Sequence, residues 1–246
     1  MPRTKTTTKV QPKAAVAAPL TDDEVSTREM ILRRSLELIN ARGMVDFRID
    51  TLAQSLGLSP GNITYHFSRK EDICVALWEQ YLEDYGQVVR SLTTLLDMKQ
   101  LFLLNRINIH LNYKYRGVVV FRSADLGAMR RDLEAGRENE AEHFTIARRV
   151  MQLLAQNGYL NDDATAEIVD GINTYHYIMM RWGINFAYQA YTPEEVESQL
   201  DYLSLLTLHA LYPTLSQKGR DEFAEIMEKV TTNSLLGDNP IQHLGQ

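Results

Sequence analysis

A short stretch of the chain combines hydrogen-bonding, aromatic and basic side chains at spacings that suit contact with nucleic acid. The members of this set are Arg48, Ser59, Pro60, Gly61, Asn62, Thr64, Tyr65, His66 and Lys70. Amide and hydroxyl groups read base edges in the major groove, and Gly61 would let the backbone come close to DNA. Arg48 and Lys70 flank the others and suit phosphates, which position a protein without specifying sequence. These residue types favour a surface that binds double-stranded DNA.

The residues around this set predict the two short helices that would present it. Apolar side chains at helical spacing give each helix one buried face, and they are Ile49, Leu52, Ala53 and Leu56, followed by Ile63 and Phe67. Gly57 can take the left-handed conformation of a sharp turn. Ser59 is a natural N-cap, and Pro60 suits the first position of the next helix. The block as a whole predicts a helix-turn-helix.

Helices are also expected in almost all of the remaining chain. Ser26 and Glu29 have the spacing of a capping box that would start a helix over about 27–42, which Gly43 would end. The best strand candidate, residues 118–121, is short and lies next to helical pattern, so we assign it to a helix. The predicted fold class is all-α: an N-terminal three-helix helix-turn-helix DNA-binding domain and a larger C-terminal helical regulatory and dimerisation domain.

Two long C-terminal segments, near 162–190 and 193–213, carry apolar residues every three or four positions. Thr192 suits the N-cap position before Pro193, which suits the first position of a helix. Such a pair of helices can complete the core of a domain, or it can form half of a four-helix interface between two copies of the chain. The pattern leaves both interpretations open.

Taken together, these features resemble the TetR/AcrR family of transcriptional regulators. The resemblance is carried by helix 1, the Ala53 and Gly57 pair, the run 59–67 and the continuation 70–73, and it covers about residues 27–80. Beyond that range it rests on architecture, an acidic and all-helical second domain that ends in two long helices.

The resemblance implies a homodimer that binds a pseudo-palindromic DNA operator, mostly as a repressor, and a small-molecule effector pocket in the C-terminal domain. Helix 4, from about Lys70 to Val89, would connect the two domains and transmit the effect of the effector. The sequence departs from the family at two places. An aromatic residue usually stands where Thr64 is found, and a Thr-type cap that contacts phosphate usually stands at Phe47-Arg48. Arg48 would replace that contact with a charged one.

Aromatic and methionine side chains in the second domain are candidates for lining the pocket, although such residues at helical spacing are more often plain core. The candidates comprise seven such residues and one arginine: Tyr113, Phe121, Arg122, Met129, Phe144, Tyr175, Met179 and Trp182. Like Arg122, the residues Asn108, Arg148 and His176 are polar positions within apolar stretches that could orient a ligand or face solvent. The rival interpretation of the chain is an all-α ligand-binding or protein-interaction module that does not bind DNA specifically.

Charge is distributed unevenly along the chain. The 246 residues carry 26 Lys and Arg against 32 Asp and Glu, a net charge of −6. Residues 1–70 carry eleven basic and seven acidic residues, hence +4, which leaves −10 for the remainder. A basic N-terminal part followed by an acidic remainder is typical of a polyanion-binding domain joined to a domain with another role. The single Cys excludes a disulfide framework, and no apolar run approaches the length of a membrane span.

We expect four parts along the chain: a disordered basic tail over 1–25, the DNA-binding domain over 26–72, the ligand-sensing and dimerisation domain over 73–230, and a flexible tail over 231–246. The apolar stretch 14–20 is too weak for a signal peptide, so a cytoplasmic location is expected. No catalytic residue, cofactor, metal or membrane partner is expected. The Glu140 and His143 pair lacks the second pair and further acids that a di-iron site needs.

Overall fold

The structure, a computed structural model, describes residues 22–90, 96–119, 133–184 and 193–231. Nine α-helices have bounds within these ranges: α1 (Asp22–Asp46), α2 (Ile49–Leu56), α3 (Pro60–His66), α4 (Lys70–Arg90), α5 (Met98–Lys114), α6 (Leu133–Gln156), α7 (Ala166–Ile178), α8 (Pro193–His209) and α9 (Gln217–Thr231). The described ranges contain no strand beyond one isolated bridge between Leu160 and Leu215. The predicted all-α fold is therefore confirmed.

Helix α1 starts earlier than predicted and is interrupted where predicted. It begins at Asp22, so Ser26 lies inside the helix and its predicted role as an N-cap is wrong. Gly43 has φ +76°, a left-handed conformation that breaks the helix three residues before Asp46. Because a glycine adopts this conformation without steric cost, the sequence places the break there.

The head, which we define as α1, α2 and α3, closes around one apolar core together with the first turns of α4. The fully buried side chains of this core include Ile31, Leu32, Ile39, Phe47, Leu52, Ile63, Ile73 and Leu77. Burying one such side chain contributes about 1.5–3 kcal/mol, so the core fixes the position of α3. Ala53 is 1% exposed, and its small side chain lets α2 and α3 pack closely.

The body, which we define as α5 to α9, is organised around α5. This helix packs against α4, α8 and α9, and it is buried on nearly all sides. Its Arg106 donates a hydrogen bond from Nε to Oδ1 of Asp201 on α8 over 2.6 Å, and His110 Nε2 lies 3.1 Å from the same oxygen. Burial opposes ionisation of Asp201, but the hydrogen bonds from His110 and Arg106 outweigh it and lower the pKa of the carboxyl. All three side chains are buried, so they tie α5 to α8 from within the core.

The C-terminal helices differ from the predicted pair. Thr165 caps α7 by accepting a hydrogen bond from the Ile168 N–H, and the helix passes into a π-helical stretch, Met179–Gly183. Helix α8 ends at His209, and a 3₁₀ turn, Tyr212–Thr214, leads to α9. Helix α9 is a third C-terminal helix, so the expectation that the domain ends in two long helices is wrong. Thr192 lies outside the described residues.

Helix α4 and a contact of α1 with the end of α5 and the residues after it both join the head to the body. Helix α4 is uninterrupted, and the proposed domain boundary between residues 72 and 73 falls within its first turn. Asn40 on α1 makes the second connection, because its amide donates to the Lys114 carbonyl over 2.8 Å and its oxygen accepts from the Gly117 N–H over 2.9 Å. A Cβ at position 117 would lie 2.7 Å from the Ile39 carbonyl oxygen, so this close approach requires glycine.

Candidate nucleic-acid interface and ligand cavity

The turn between α2 and α3 has the conformation that its sequence predicts. Gly57 has φ +67° and ends α2 in the left-handed conformation. The Leu58 N–H donates to the Ala53 carbonyl over 2.9 Å, which holds the chain back against α2. Since residues other than glycine are strained at this φ, the role predicted for Gly57 is confirmed.

The start of α3 is fixed by Ser59, Pro60 and Asn62. The Ser59 hydroxyl oxygen accepts from the Asn62 N–H over 3.2 Å and lies 3.1 Å from Asn62 Oδ1, to which the hydroxyl donates. Pro60 occupies the first turn, where its missing N–H costs nothing. The predicted cap is confirmed, and the reciprocal bond holds the Asn62 side chain in one orientation.

The outward face of α3 is formed by the predicted residues. Gly61, Asn62, Thr64 and Tyr65 are exposed and His66 is half-buried. Tyr65 is 77% exposed, an unusual position for a large aromatic side chain. Its ring meets that of His66 edge to face, with centroids 5.2 Å apart. Ile63 and Phe67 point into the head core, as the helical spacing predicts.

Arg48 and Lys70 meet at the C-terminal end of α1. The exposed Arg48 guanidinium donates to the Phe47 carbonyl over 3.1 Å and to the Val45 carbonyl, and Lys70 Nζ donates to the Met44 carbonyl over 3.3 Å. Cations suit this position, because a helix C-terminus carries partial negative charge. The structure thus brings together, at the end of α1, two basic residues that lie 22 positions apart in the sequence.

The body contains a cavity with about 740 Å³ of space unfilled by atoms, part of it open to solvent. Helices α4, α5, α6, α7 and α8 all contribute to its wall. Most of the lining is aliphatic: Val88, Val89, Leu101, Leu104, Ile146, Ala147, Val150, Met151, Ile172, Leu208 and Leu211. Tyr85 and the polar residues Asn105, Asn108, Asn173, His176 and Thr207 complete it.

A hydrogen-bonded network occupies the polar side of the cavity. Asn105 donates through Nδ2 to the Ser204 carbonyl over 2.7 Å and to the Thr207 hydroxyl. Both amide hydrogens are then used, so Asn105 Oδ1 must accept the 2.8 Å hydrogen bond from His176 Nε2. This assignment fixes the His176 tautomer with a proton on Nε2.

Three of the eight predicted pocket residues have described side chains, and none of the three lines this cavity. Tyr113 packs against the α5–α8 core, and Tyr175 is 41% exposed on α7. Met179, in the π-helical stretch, does not line the cavity. Phe121, Arg122 and Met129 lie outside the described residues, as do the side chains of Phe144 and Trp182.

Of the three polar positions considered beside them, Asn108 and His176 line the cavity. Arg148 instead forms an exposed ion pair with Asp170 on α7 over 2.9 Å. Asn105, Asn173 and Thr207 were missed, because single polar residues on amphipathic helices carry no sequence signal that separates a cavity wall from solvent.

Two properties of the described residues bear on function. Among the described residues, no three His, Cys, Asp or Glu side chains come together in a way that could hold a metal ion. None of the helices with described bounds is both long and apolar enough to cross a membrane.

The fold and the exposed α3 define a helix-turn-helix head joined to a helical body. Residues 31–77 match the family described as "Bacterial regulatory proteins, tetR family". No curated protein matches the chain in sequence. The family match therefore covers the head, and the body is similar to solved TetR-family regulators in fold.

Solved structures show the extent of that fold. A TetR-family transcriptional regulator from Marinobacter aquaeolei VT8 superposes with a TM-score of 0.74 at 20% identity, over 82% of this chain and 98% of that one. A gamma-butyrolactone receptor described as ArpA-like follows with a TM-score of 0.61 at 13% identity, over 85% and 98% of the two chains. A ketosteroid transcriptional regulator of Mycobacterium tuberculosis has a TM-score of 0.54 at 16% identity, over 78% and 95%.

Proposed function

We propose that the chain is a homodimeric repressor whose α3 helices bind a pseudo-palindromic operator, and that a small molecule in the body cavity releases it. Such a regulator acts in the cytoplasm, where the DNA is. The observation that carries the proposal is the course of α4, which supports the head at one end and lines the cavity at the other.

The two ends of α4 have different neighbours. Ile73 and Leu77 belong to the head core, whereas Tyr85, Val88 and Val89 belong to the cavity wall. The 21 residues of the helix span about 31 Å at 1.5 Å per residue. A ligand that repositions the cavity end would therefore shift the head without contacting it.

Recognition by a dimer requires a fixed distance between two α3 helices. Half-sites about one DNA turn apart, about 34–36 Å, set that distance for helix-turn-helix dimers. An effector that binds the conformer with the wrong spacing better would lower operator affinity, and such couplings are typically about 1–3 kcal/mol. Asn40 and Gly117 form the second connection between head and body, so a shift of α4 alone would strain that contact.

The proposed dimer interface lies on α7 and α8. Ile168, Tyr175 and Ile178 occupy one face of α7, and each is more than 40% exposed. Tyr202 and Leu206 are exposed one turn apart on α8. Exposed apolar residues on one helix face are typical of interaction sites, and a second copy of the chain would cover them if α7 and α8 form half of a four-helix bundle.

The proposed DNA contacts are Arg48, Ser59, Pro60, Gly61, Asn62, Thr64, Tyr65, His66 and Lys70. Tyr65 provides the test, because its side chain contributes little to the head core. We expect Tyr65→Ala to abolish the specific gel shift of the intergenic DNA upstream of the protein's own gene, at unchanged dimer mass and melting temperature. Tyr212→Ala is the matched control, since Tyr212 is an exposed tyrosine outside the head.

The two alternatives to this proposal give different results. If Tyr65→Ala binds like the wild type at matched salt, the assignment of α3 as the recognition helix is wrong. If the folded wild-type dimer shifts no DNA even at low salt, the chain is better described as an all-α ligand-binding or protein-interaction module.

A further inference from the structure

The polar side of the body cavity holds amide groups in two different states. Asn105 uses both amide hydrogens in bonds to Ser204 and Thr207, and its oxygen accepts from His176, so it has no N–H left to donate to a ligand. Asn108 and Asn173 differ, because each presents an amide group that the described residues leave unused.

Asn108 is oriented by its neighbour on α5. Asn112 donates through Nδ2 to Asn108 Oδ1 over 2.9 Å and to the Asn108 carbonyl over 2.8 Å. The Tyr81 hydroxyl donates to Asn112 Oδ1 over 3.3 Å and so fixes the orientation of Asn112. Since its oxygen accepts from Asn112, Asn108 turns its N–H₂ group toward the cavity.

Asn173 on α7 faces the same cavity without a hydrogen-bond partner. Its side chain is 6% exposed, and no described group accepts from Nδ2. A buried amide without a partner destabilises a protein, and hydrophobic residues could fill the same place without that cost. An acceptor supplied from outside the chain would satisfy it.

The charge of the lining restricts that acceptor. Within the described part of the wall there is no Asp, Glu, Lys or Arg, and His176 already uses its Nε2 proton. An ion would lose its hydration in this cavity without gaining a counter-charge, which is strongly unfavourable. A neutral oxygen acceptor on an apolar frame would meet both the amides and the aliphatic wall.

We infer that this cavity binds an uncharged, largely apolar molecule that carries a hydrogen-bond-accepting oxygen, held by the side-chain amides of Asn173 and Asn108. The inference rests on the proposed function for its biological meaning, because it specifies the chemical class of the effector. Its test uses no DNA, so the ligand class and the repressor function can fail separately.

Four benzene derivatives of similar size serve as probes: acetophenone, ethylbenzene, benzoate and benzylammonium. Dissociation constants are measured by ligand-observed NMR with the full-length protein. We expect acetophenone to bind at least about tenfold more tightly than either ion. Asn173→Leu should weaken acetophenone about tenfold, the effect of one lost hydrogen bond, and leave ethylbenzene unchanged or tighter.

Two further variants complete the test. Asn108→Leu should change the affinities in the same direction as Asn173→Leu, and Thr174→Ala, an exposed neighbour on α7, should leave them unchanged. Asn173→Leu should also melt at a higher temperature, since it removes an unpaired buried amide. The inference is overturned if an ion binds as tightly as acetophenone, if Asn173→Leu weakens both neutral probes equally, or if no probe binds. The wild-type comparison of neutral and charged probes holds even if a leucine variant does not fold.

Discussion

Replacing Gly61 by alanine should separate the stability of the head from its affinity for DNA. Gly61 is the second residue of α3 and is exposed. A Cβ built there meets one neighbour within 4 Å, Ser59 Oγ at 3.6 Å, which is ordinary contact. Folding therefore does not require glycine at this position, and alanine is the better helix former by up to about 1 kcal/mol. For a chain of this size that gain raises the melting temperature by about 2–4 °C.

The same methyl group should weaken operator binding. If α3 lies in the major groove with Gly61 against the DNA, the added carbon overpacks the interface, which costs about 1–3 kcal/mol in well-packed sites. This corresponds to roughly a 5- to 150-fold loss of affinity. The proposed contacts from Arg48 and Lys70 to phosphate would remain, so the dependence of log K on log salt should keep its slope.

Gel shifts at several salt concentrations and calorimetric melting of the free protein measure the two effects. Gly86→Ala on α4 is the matched control, because its added Cβ meets the flexible Arg90 guanidinium, with Nη1 at 3.0 Å, and no DNA contact is proposed there. It should leave affinity unchanged. Wild-type affinity in a stabilised Gly61→Ala protein would refute the close approach of backbone to DNA. A lower melting temperature would refute the claim that folding leaves this position unconstrained.

Three other substitutions test the elements that position the site. Gly117→Ala forces a Cβ to 2.7 Å from the Ile39 carbonyl oxygen. It should lower the free energy of unfolding, measured in urea, by about 1–3 kcal/mol and should also lower operator affinity. Unchanged stability would contradict the close contact of α1 with residue 117. Asp201→Asn leaves buried Arg106 without its counter-charge and should cost about 3–5 kcal/mol. Because the pKa of Asp201 is lowered in the folded state, the wild-type carboxylate stabilises the protein above pH about 4. This stability is lost as the pH falls through the folded pKa. Unfolding curves recorded at several pH values should therefore show a smaller acid-induced loss of stability for Asp201→Asn than for the wild type. Ile178→Glu puts a charge in the proposed dimer face and should sediment as a monomer with weakened operator binding; an intact dimer would place the interface elsewhere.

The head could be predicted from sequence because its signals are local. The residues that set the turn and the start of α3 are Gly57, Ser59 and Pro60. Each acts within a few residues of its own position, so both features can be predicted from one short stretch of sequence. The start of α1 was harder to predict, since a capping-box spacing at Ser26 and Glu29 competes with helical continuation back to Asp22. Gly43 still marked the break, because a left-handed φ favours glycine wherever it occurs.

The cavity could not be predicted, because packing assembles it from distant positions. Asn105, Asn173 and Thr207 come from three helices, and the bond between Asn105 and His176 joins residues 71 positions apart. Aromatic side chains were also the wrong guide to which residues of α7 line the cavity. Tyr175 was an expected pocket residue, but the part of α7 that lines the cavity consists of Ile172, Asn173 and His176, and Tyr175 is 41% exposed.

Each proposed contact site weakens the isolated chain. Gly61 lowers helix stability, Asn173 buries an amide without a partner, and the exposed Tyr175 and Ile178 leave apolar area in water. None of these features helps the fold, and a single conservative substitution would remove each cost. Residues that lower stability without a structural gain are expected at functional sites. A neutral acceptor ligand and a second copy of the chain would each relieve one of them, and close approach of DNA would give a reason for Gly61. This correspondence supports one regulatory function for the proposed recognition surface, cavity and dimer face.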